Sequence, residues 1–541
     1  MTKKNLLDHN KPLALLLLSG ILLGLAWPTK GFSGLIFIAL VPLLLYQEQL
    51  MTTSSKGVGK KVFWGSYLSF VIWNTITTWW IFNATAFGMF FAILVNSSFY
   101  SGMFWLYHQS RRSMSRQGAL IFWIALWLSF EKFHLNWDFS WPWLQLGNAF
   151  SENIRWIQWY AYTGSFGGSL WVLLINCGLF SALLGAKNNQ PWKVKTIMLI
   201  VLGIGLPIGI SNALFHSFEL APETEEILLL QPNEDPYLPN PRTDNKDYLQ
   251  FLDELVSATI TENIRWIITP EGFIDVGYGT PNKTFDQSPL ADDLQAYLKD
   301  HPSTVLLTGI QLYDIYQTEK APSVSAKQIR ERLWVDIYNS AAGIQAEQPT
   351  QIYHKSKLVV GVEQTPFKSI LEPLLGEILL DFGGMVSDRA TQEEAAVITH
   401  QNNGYKAAPI ICYESIYGAY VTDYVRKGAH FLAIITNDAW WGNTAGHRQL
   451  LSYARLRAIE TRRDIARSAN TGISAFINAR GEIKQSLPYG KQGVLKGKIA
   501  VYDEQTFYVR SGDYIARIAV LMMALYGLAP LSKRFRSSSL K

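Results

Sequence analysis

The chain has 541 residues, 48% of them hydrophobic and 13% aromatic, with a formal net charge of +5. So small a basic excess, without a Lys/Arg-rich arm or an aromatic RNA-binding motif, argues against a nucleic-acid partner. Two cysteines cannot form a disulfide framework, and the nine histidines show no ligand spacing, so no metal and no cofactor is expected.

Taken in chain order, the apolar content is concentrated in the first 214 residues and again near the end. Stretches long enough to approach or cross a hydrocarbon core of about 30 Å occur near 12–28, 31–46, 62–82, 86–107, 118–133, 160–185 and 194–214, and an eighth at 514–532. Short loops rich in Lys and Arg face the cytoplasm. Here those are the loops at Lys60 and Lys61, at Arg111, Arg112 and Arg116, and at Lys187, Lys193 and Lys195, together with the tail from Lys533. Three parts follow: a membrane domain at 1–214 with seven spans, an extracytoplasmic domain at 215–513, and a last span with a basic tail at 514–541.

Two local features of the membrane domain carry expectations. The loop Asn136-Trp137-Asp138-Phe139-Ser140-Trp141-Pro142-Trp143 reads either as an interfacial aromatic belt or as a surface guiding acyl chains. Glu131 and Lys132, near a helix end, read as a snorkelled or mutually paired structural couple.

Between 225 and 500 the pattern changes to short apolar runs alternating with amphipathic stretches. Strands are expected at 227–230, 266–269, 304–309, 334–339, 350–353, 408–412, 431–436 and 473–478, and helices at 246–261, 415–427 and 446–463. That alternation predicts an α/β layered domain with chemical groups on loops at strand ends. Asn478-Ala479-Arg480-Gly481 has hairpin-turn chemistry, whereas the polar, Gly/Pro-containing insert at 276–302 reads as a surface excursion.

Three chemical groups stand at the ends of apolar runs: Glu271 in Thr269-Pro270-Glu271-Gly272, Lys355 in Tyr353-His354-Lys355, and Cys412 in Ile410-Ile411-Cys412-Tyr413-Glu414. A free thiol with a pKa near 8.5 needs help to become the reactive thiolate. A carboxylate can take its proton, and an ammonium can stabilise the oxyanion of a tetrahedral intermediate. The other cysteine, Cys177, lies in an apolar span and reads as packing.

Through Pro270-Glu271, Tyr353-His354-Lys355 and Ile411-Cys412-Tyr413-Glu414, the chain resembles the carbon-nitrogen hydrolase (nitrilase) superfamily. Thr436-Asn437-Asp438-Ala439-Trp440-Trp441-Gly442, Ala454-Arg455-Leu456-Arg457-Ala458-Ile459-Glu460 and Arg467-Ser468-Ala469-Asn470 narrow the resemblance to the apolipoprotein N-acyltransferases. The resemblance implies a nitrilase-like αββα sandwich on a polytopic helical membrane domain in a bacterial inner membrane, with the sandwich on the periplasmic side. It implies that a monomer moves an acyl chain from a glycerophospholipid to the α-amine of a diacylglyceryl-cysteine apolipoprotein, by ping-pong through a thioester.

Residue by residue, Glu271 matches the general base, Lys355 the oxyanion-stabilising lysine and Cys412 the nucleophile. Glu363 matches a second functional glutamate, Tyr413 and Glu414 match residues supporting the nucleophile, and Asn339 matches a site-shaping asparagine. Two departures stand out. Leu358-Val359-Val360-Gly361-Val362-Glu363 lacks the family's Pro-Phe pair, and Tyr237 is the aromatic nearest to a family tryptophan.

Three readings compete. A membrane-anchored amidase would use the same three groups with water as acceptor, and a transporter would leave the cysteine inert. The bland account of Glu363 and Glu414 makes them surface carboxylates or partners of Arg455 and Arg457. For Tyr413 it is core packing.

Overall fold

In the computed structural model, residues 3–52, 57–187, 194–238, 242, 244–275, 279–368 and 388–538 are described. Seven helical rods precede the α/β part: α1 (Lys3–Leu25), α2 (Val41–Met51, after a helical lead-in from Ser33), α3 (Val58–Thr78), α4 (Ala86–Ser110), α5 (Arg116–Phe133), α6 (Tyr160–Lys187) and α7 (Val194–Ser217). Each coincides with one of the expected spans. Among the described residues, Ser33–Met51, Ala86–Ser110, Tyr160–Gly185 and Met198–Ser217 are long and apolar enough to cross a membrane, and Lys11–Leu25 is a shorter apolar helix. The other two rods are less apolar for a visible reason. α3 buries a polar face of Ser66, Ser69, Asn74, Thr77 and Thr78, with Asn96 donating to Asn74 at 2.8 Å, and α5 carries Arg116, Glu131 and Lys132. Of the basic loops, the side chains of 187–195 and of the tail lie outside the described residues.

Glu131 and Lys132 do not pair with each other. Adjacent helical residues point about 100° apart, and each finds a partner on its own side. Lys132 reaches Asp513 at 2.8 Å. Glu131 accepts hydrogen bonds from Trp127 Nε1 at 3.1 Å and from the Leu146 amide at 2.9 Å.

The α/β part is two sheets packed face to face. In one, the order is β11-β1-β2-β3-β4, built from β1 (Thr224–Gln231), β2 (Ile264–Ile268), β3 (Val305–Gln317), β4 (Leu333–Gln345) and β11 (Gly493–Ala500); β5 (Gln351–His354) and the short strand Lys327–Arg330 both pair with β4. In the other, the order is β10-β9-β8-β7-β6, with β6 (Lys406–Ile411), β7 (Phe431–Thr436), β8 (Ile465–Ala469), β9 (Ser474–Ile477) and β10 (Ile483–Leu487), closed at the far edge by Ile398–Thr399. Side chains alternate across a strand, and the two cores obey that period. Ile227, Leu229, Trp266, Ile268, Val305 and Leu307 point at the second sheet, Trp266 meeting Phe431 edge-on at 5.3 Å. Leu228, Leu230, Ile267, Leu306 and Leu312 point the other way, against α8 (Asn245–Val256) and α9 (Pro289–Leu298).

All eight expected strands form, as does the hairpin between β9 and β10 with Gly481 at φ 83. The insert at 276–302 is not a plain excursion, although 276–278 lie outside the described residues. It holds α9, started by Ser288, whose hydroxyl accepts from the Ala291 amide, and by Pro289 at its first position. Strands β8 and β11 escape a hydrophobic reading because Arg467 and Ser468 interrupt one and alternating Lys496 and Lys498 the other.

The second sheet is covered by α10 (Gly418–Arg426) and α11 (Ala445–Thr461), and α11 in turn lies on the membrane domain. Its Gln449 donates to Pro28 O at 2.8 Å and accepts from Trp143 Nε1 at 2.7 Å; Tyr453 accepts from Trp27 Nε1 at 2.9 Å; Ser452 meets Ser151 at 2.7 Å. The tryptophan-rich loop ends in this seam. Trp143 is fully buried among Trp80, Trp441 and Tyr453, so this loop is mainly a joint between the two domains. The last helix, α12 (Tyr514–Ser538), follows the sandwich and returns beside α5; its segment Tyr514–Leu528 is a shorter apolar helix.

Candidate active site

Each group expected to carry chemistry sits just past a strand end. Glu271 follows β2, in a turn where Gly272 takes φ 66. The neighbouring strand passes so close that a Cβ on Gly309 would stand 2.3 Å from Pro270 O and 2.7 Å from Glu271 Cα, so that position has to be glycine. Lys355 follows β5, its amide donating to Asn339 O at 2.8 Å. Cys412 follows β6 at φ 52, a left-handed conformation that costs a non-glycine residue about 1–2 kcal/mol. A helical turn, Cys412–Ile416, begins there, closed by Ser415 Oγ donating to Cys412 O at 2.7 Å.

Lys355 is the centre of the arrangement. Its ammonium, 1% exposed, donates to Glu271 Oε1 at 2.9 Å and to Glu363 Oε1 at 2.8 Å. Asn339 Nδ2 donates to the same two oxygens, at 2.8 Å and 3.1 Å. The second oxygen of Glu271 accepts the Asn437 amide at 3.0 Å, and that of Glu363 the Val359 amide at 2.8 Å. Burial disfavours the ammonium, yet Glu271, Glu363 and the Cys412 sulfur together push its pKa well above the ordinary lysine value. For Glu363, burial raises the carboxyl pKa, but the charge and hydrogen bond of Lys355 outweigh it and hold the group below its usual range. The Cys412 thiol is pushed well up, by burial first and by Glu271 second, with Lys355 opposing. A resting thiol is therefore protonated, and a base has to take the proton as it reacts.

Glu363 is no surface carboxylate, and the missing Pro-Phe pair does not remove it from the site. Gly361, at φ 78, turns the loop, and the Glu363 amide donates back to Val359 O at 2.9 Å. Glu414 is likewise buried and ignores the arginines. Its Oε1 accepts from Tyr353 Oη at 2.6 Å and the Ser356 amide at 2.7 Å, while its Oε2 accepts from the Ile411 amide at 2.8 Å and Tyr424 Oη at 3.2 Å. One carboxyl group thus ties the turn behind Lys355 to the strand end before Cys412, and burial raises its pKa in spite of those donors. Arg455 instead pairs with Glu152 at 2.7 Å and Arg457 with Glu460 at 2.9 Å.

Tyr413 is buried, stacked near Trp141, with its hydroxyl donating to Ser140 O at 3.3 Å, so it connects the Cys412 turn to the tryptophan-rich loop of the membrane domain. Phe367 anchors the other rim, its amide donating to Asp138 at 2.7 Å and its ring meeting Phe139 at 5.3 Å. Tyr237 is exposed and edge-on to Trp440 at 5.2 Å; it lines a cavity of about 330 Å³ with Asp235, Ala439, Thr471 and Tyr489. Tyr353, Tyr424 and Val359 were not legible as site residues, because their parts are played by one hydroxyl or one amide. Among the described residues no group of His, Cys, Asp and Glu is placed to hold a metal ion, and both cysteines are free.

Comparison with known proteins finds the following similarities. Residues 19–178 match the model of the apolipoprotein N-acyltransferase N-terminal domain, and residues 231–507 that of the carbon-nitrogen hydrolases. The apolipoprotein N-acyltransferase of Chlorobaculum tepidum is 30% identical over 97% of this chain and 98% of its own length. That of Geobacter metallireducens is 25% identical, over 96% and 95% respectively. Among solved structures, Saccharomyces cerevisiae Nit3, a nitrilase-superfamily member, matches at 14% identity and TM-score 0.36, over 52% of this chain and 92% of its own.

Proposed function

We propose a mechanism from a fixed premise: the chain belongs to the apolipoprotein N-acyltransferase family. It transfers an acyl chain from a glycerophospholipid to the N-terminal α-amine of a diacylglyceryl-cysteine lipoprotein. Our reading assigns the chemistry to Glu271, Lys355 and Cys412. The observation that carries it is the buried Lys355 ammonium, bridging two carboxylates and interacting electrostatically with the one thiol of the hydrolase domain.

In the first half-reaction Glu271 takes the thiol proton as Cys412 Sγ attacks the ester carbonyl carbon of the phospholipid. A C–S bond forms, and the carbonyl oxygen becomes an oxyanion beside the Lys355 ammonium. Collapse breaks the ester C–O bond; the leaving lysophospholipid oxygen takes the proton back from Glu271, and a thioester remains. In the second half-reaction the lipoprotein amine attacks that carbonyl, Glu271 accepts the amine proton, and the C–S bond breaks to release the N-acylated product, the Cys412 sulfur taking the proton from Glu271.

Glu363 and Asn339 serve as supports. Glu363 offsets the charge of Lys355, so Glu271 need not remain bonded to it while exchanging protons. Asn339 holds the two carboxylates at a fixed separation. The rim made by Ser140, Trp141 and Phe367 joins the site to the outer end of the membrane helices, which favours lipid substrates entering from the bilayer. We place the enzyme in a bacterial inner membrane with 215–513 on the periplasmic side, acting as a monomer.

The purified enzyme, given phospholipid with a labelled acyl chain and a diacylglyceryl-cysteine peptide with a free amine, should label the peptide on nitrogen. Release of labelled free fatty acid with an unlabelled peptide would favour a hydrolase. Release of ammonia from a soluble amide, without need of phospholipid, would favour an amidase.

A further inference from the structure

The parallel pairing of β6 and β7 ends with Ile411 opposite Ile435, so Cys412, which turns out of β6, and Thr436, the last residue of β7, directly follow paired residues at neighbouring strand ends. Neighbouring strands lie about 4.8 Å apart, which puts the two residues within side-chain reach of each other. Thr436 is fully buried, and its hydroxyl donates to Asp438 Oδ1 at 2.8 Å. It also stands beside the Cys412 sulfur, whose ionised form it favours. The other oxygen of Asp438 accepts from Arg467 Nη2 at 2.7 Å, in an ion pair with both side chains at 0% exposure. Arg467 is fixed in turn by donating to Ile473 O at 2.6 Å. Gly472 closes the space, since a Cβ there would stand 2.2 Å from Asp438 Oδ2.

A threonine hydroxyl has one proton to donate and lone pairs to accept with. It cannot donate to a carboxylate and to a thiolate at once. While Cys412 is a thiol, the S–H can donate to Thr436 Oγ1, which donates to Asp438. Once Glu271 has taken the thiol proton, a rotation about the Thr436 Cβ–Oγ1 bond turns the hydroxyl proton onto the sulfur. Asp438 is not then left bare, because Arg467 stays on its other oxygen.

We propose that Thr436 is a further residue of the reaction, its hydroxyl alternating between Asp438 and the Cys412 sulfur and steadying the thiolate whenever it forms or leaves. The Asp438–Arg467 pair is the positioning element that sets the hydroxyl's resting direction. This inference rests on Cys412 as nucleophile. The charged and titratable groups around the sulfur are Glu271, Lys355 and Asp438, with Glu363 behind Lys355; Asp438 is faced by Arg467, and His447 and Tyr489 also feel its charge.

The test measures how fast iodoacetamide alkylates Cys412 as a function of pH, in the full-length enzyme without lipid, alongside single-turnover acylation. T436V keeps the shape and loses the hydroxyl. It should shift the alkylation midpoint upward by about one pH unit and slow acylation by about tenfold, the scale of one hydrogen bond to a charged group. T436S should restore both to within about twofold. D438N should lower the midpoint, and by less in a T436V background, because part of its effect passes through the hydroxyl. A T436V midpoint equal to that of the unmodified chain would overturn the proposal, as would equal D438N shifts in both backgrounds. Alkylation needs no phospholipid, so a chain that alkylates as foreseen yet fails to acylate would count against the acyltransferase mechanism and not against Thr436.

Discussion

Helices α8 and α11 flank the same sandwich and could hardly differ more. α8 has one buried face, Tyr248, Leu252 and Val256, and is begun by Asp244, which accepts from the Asp247 amide. α11 is buried on almost every side and still carries His447, Gln449, Arg457 and Glu460 inward. A helix buried all round loses its amphipathic stripe, and its polar groups then need partners. Gln449, Ser452 and Glu460 find theirs in the membrane domain, at Trp143 and Pro28, at Ser151 and at the Ser165 amide, whereas Arg457 donates to Ile416 O within the α/β part. One sheet therefore faces water through α8 and α9, and the other is mounted on the membrane domain through α11. The site is divided accordingly, with Glu271, Asn339 and Lys355 on the water-side sheet and Cys412 and Asn437 on the membrane-side sheet. Glu414 and the Asn437–Glu271 bond join the two.

The largest expected effect comes from cutting across that division at its centre. Lys355→Met leaves Glu271 and Glu363 facing each other without a cation and the oxyanion without its donor. Acylation should fall by at least about 10²–10³-fold, read by single-turnover labelling, with the protein still folded by circular dichroism. An acylation rate within tenfold of the parent would remove Lys355 from the mechanism.

The seam comes next. Arg457 is 1% exposed and donates to Ile416 O at 2.7 Å, at the end of the Cys412 turn, while Glu460 accepts the Ser165 amide at 2.9 Å. Removing one partner leaves a buried charge uncompensated, at a cost of about 3–5 kcal/mol. Glu460→Ala should therefore lower unfolding stability by that order in detergent denaturation. A loss below about 1 kcal/mol would show that α11 is not what mounts the sandwich.

Acid should loosen the water-side half. A carboxyl held below its ordinary value binds fewer protons folded than unfolded. Glu363 thus contributes stability above the ordinary carboxylate range, and that contribution disappears as pH falls through its lower, folded value. Activity and stability should decline together on the acid side, and Glu363→Gln should abolish the shared part of that decline. An unchanged acid limb in this variant would remove Glu363 from the coupling.

The rims should matter least. Arg455 and Glu152 pair where Glu152 meets solvent, so Glu152→Ala should cost no more than about 1 kcal/mol. Asp244→Ala removes a helix cap worth about 1 kcal/mol and should leave acylation unchanged. A large kinetic effect of Asp244→Ala would break the idea that α8 is remote from the chemistry.

Much of this layout was written in short-range pattern. Strand ends could be read because Ile410-Ile411 and Ile267-Ile268 run apolar into Cys412 and Glu271, and the eight rods could be read from apolar length. What escaped was set by partners far along the chain. Helix geometry alone separates Lys132 from its neighbour Glu131, but nothing local names Asp513, 381 residues away, as its partner. The tryptophans of 137–143 look alike in sequence, yet Trp143 is sealed in a joint because α11 arrives from 300 residues downstream. Thr436 gave no signal by itself, since its place beside the thiol depends on the register between β6 and β7.

Intact mass spectrometry after exposure to phospholipid alone, without acceptor peptide, decides whether Cys412 carries the acyl chain. The expected adduct is the mass of one acyl chain, mapped to the Cys412 peptide, removed by hydroxylamine, lost on adding the acceptor amine and absent in Cys412→Ala. An acyl adduct that persists in Cys412→Ala, or peptide acylation by that variant at the parent's rate, would contradict it.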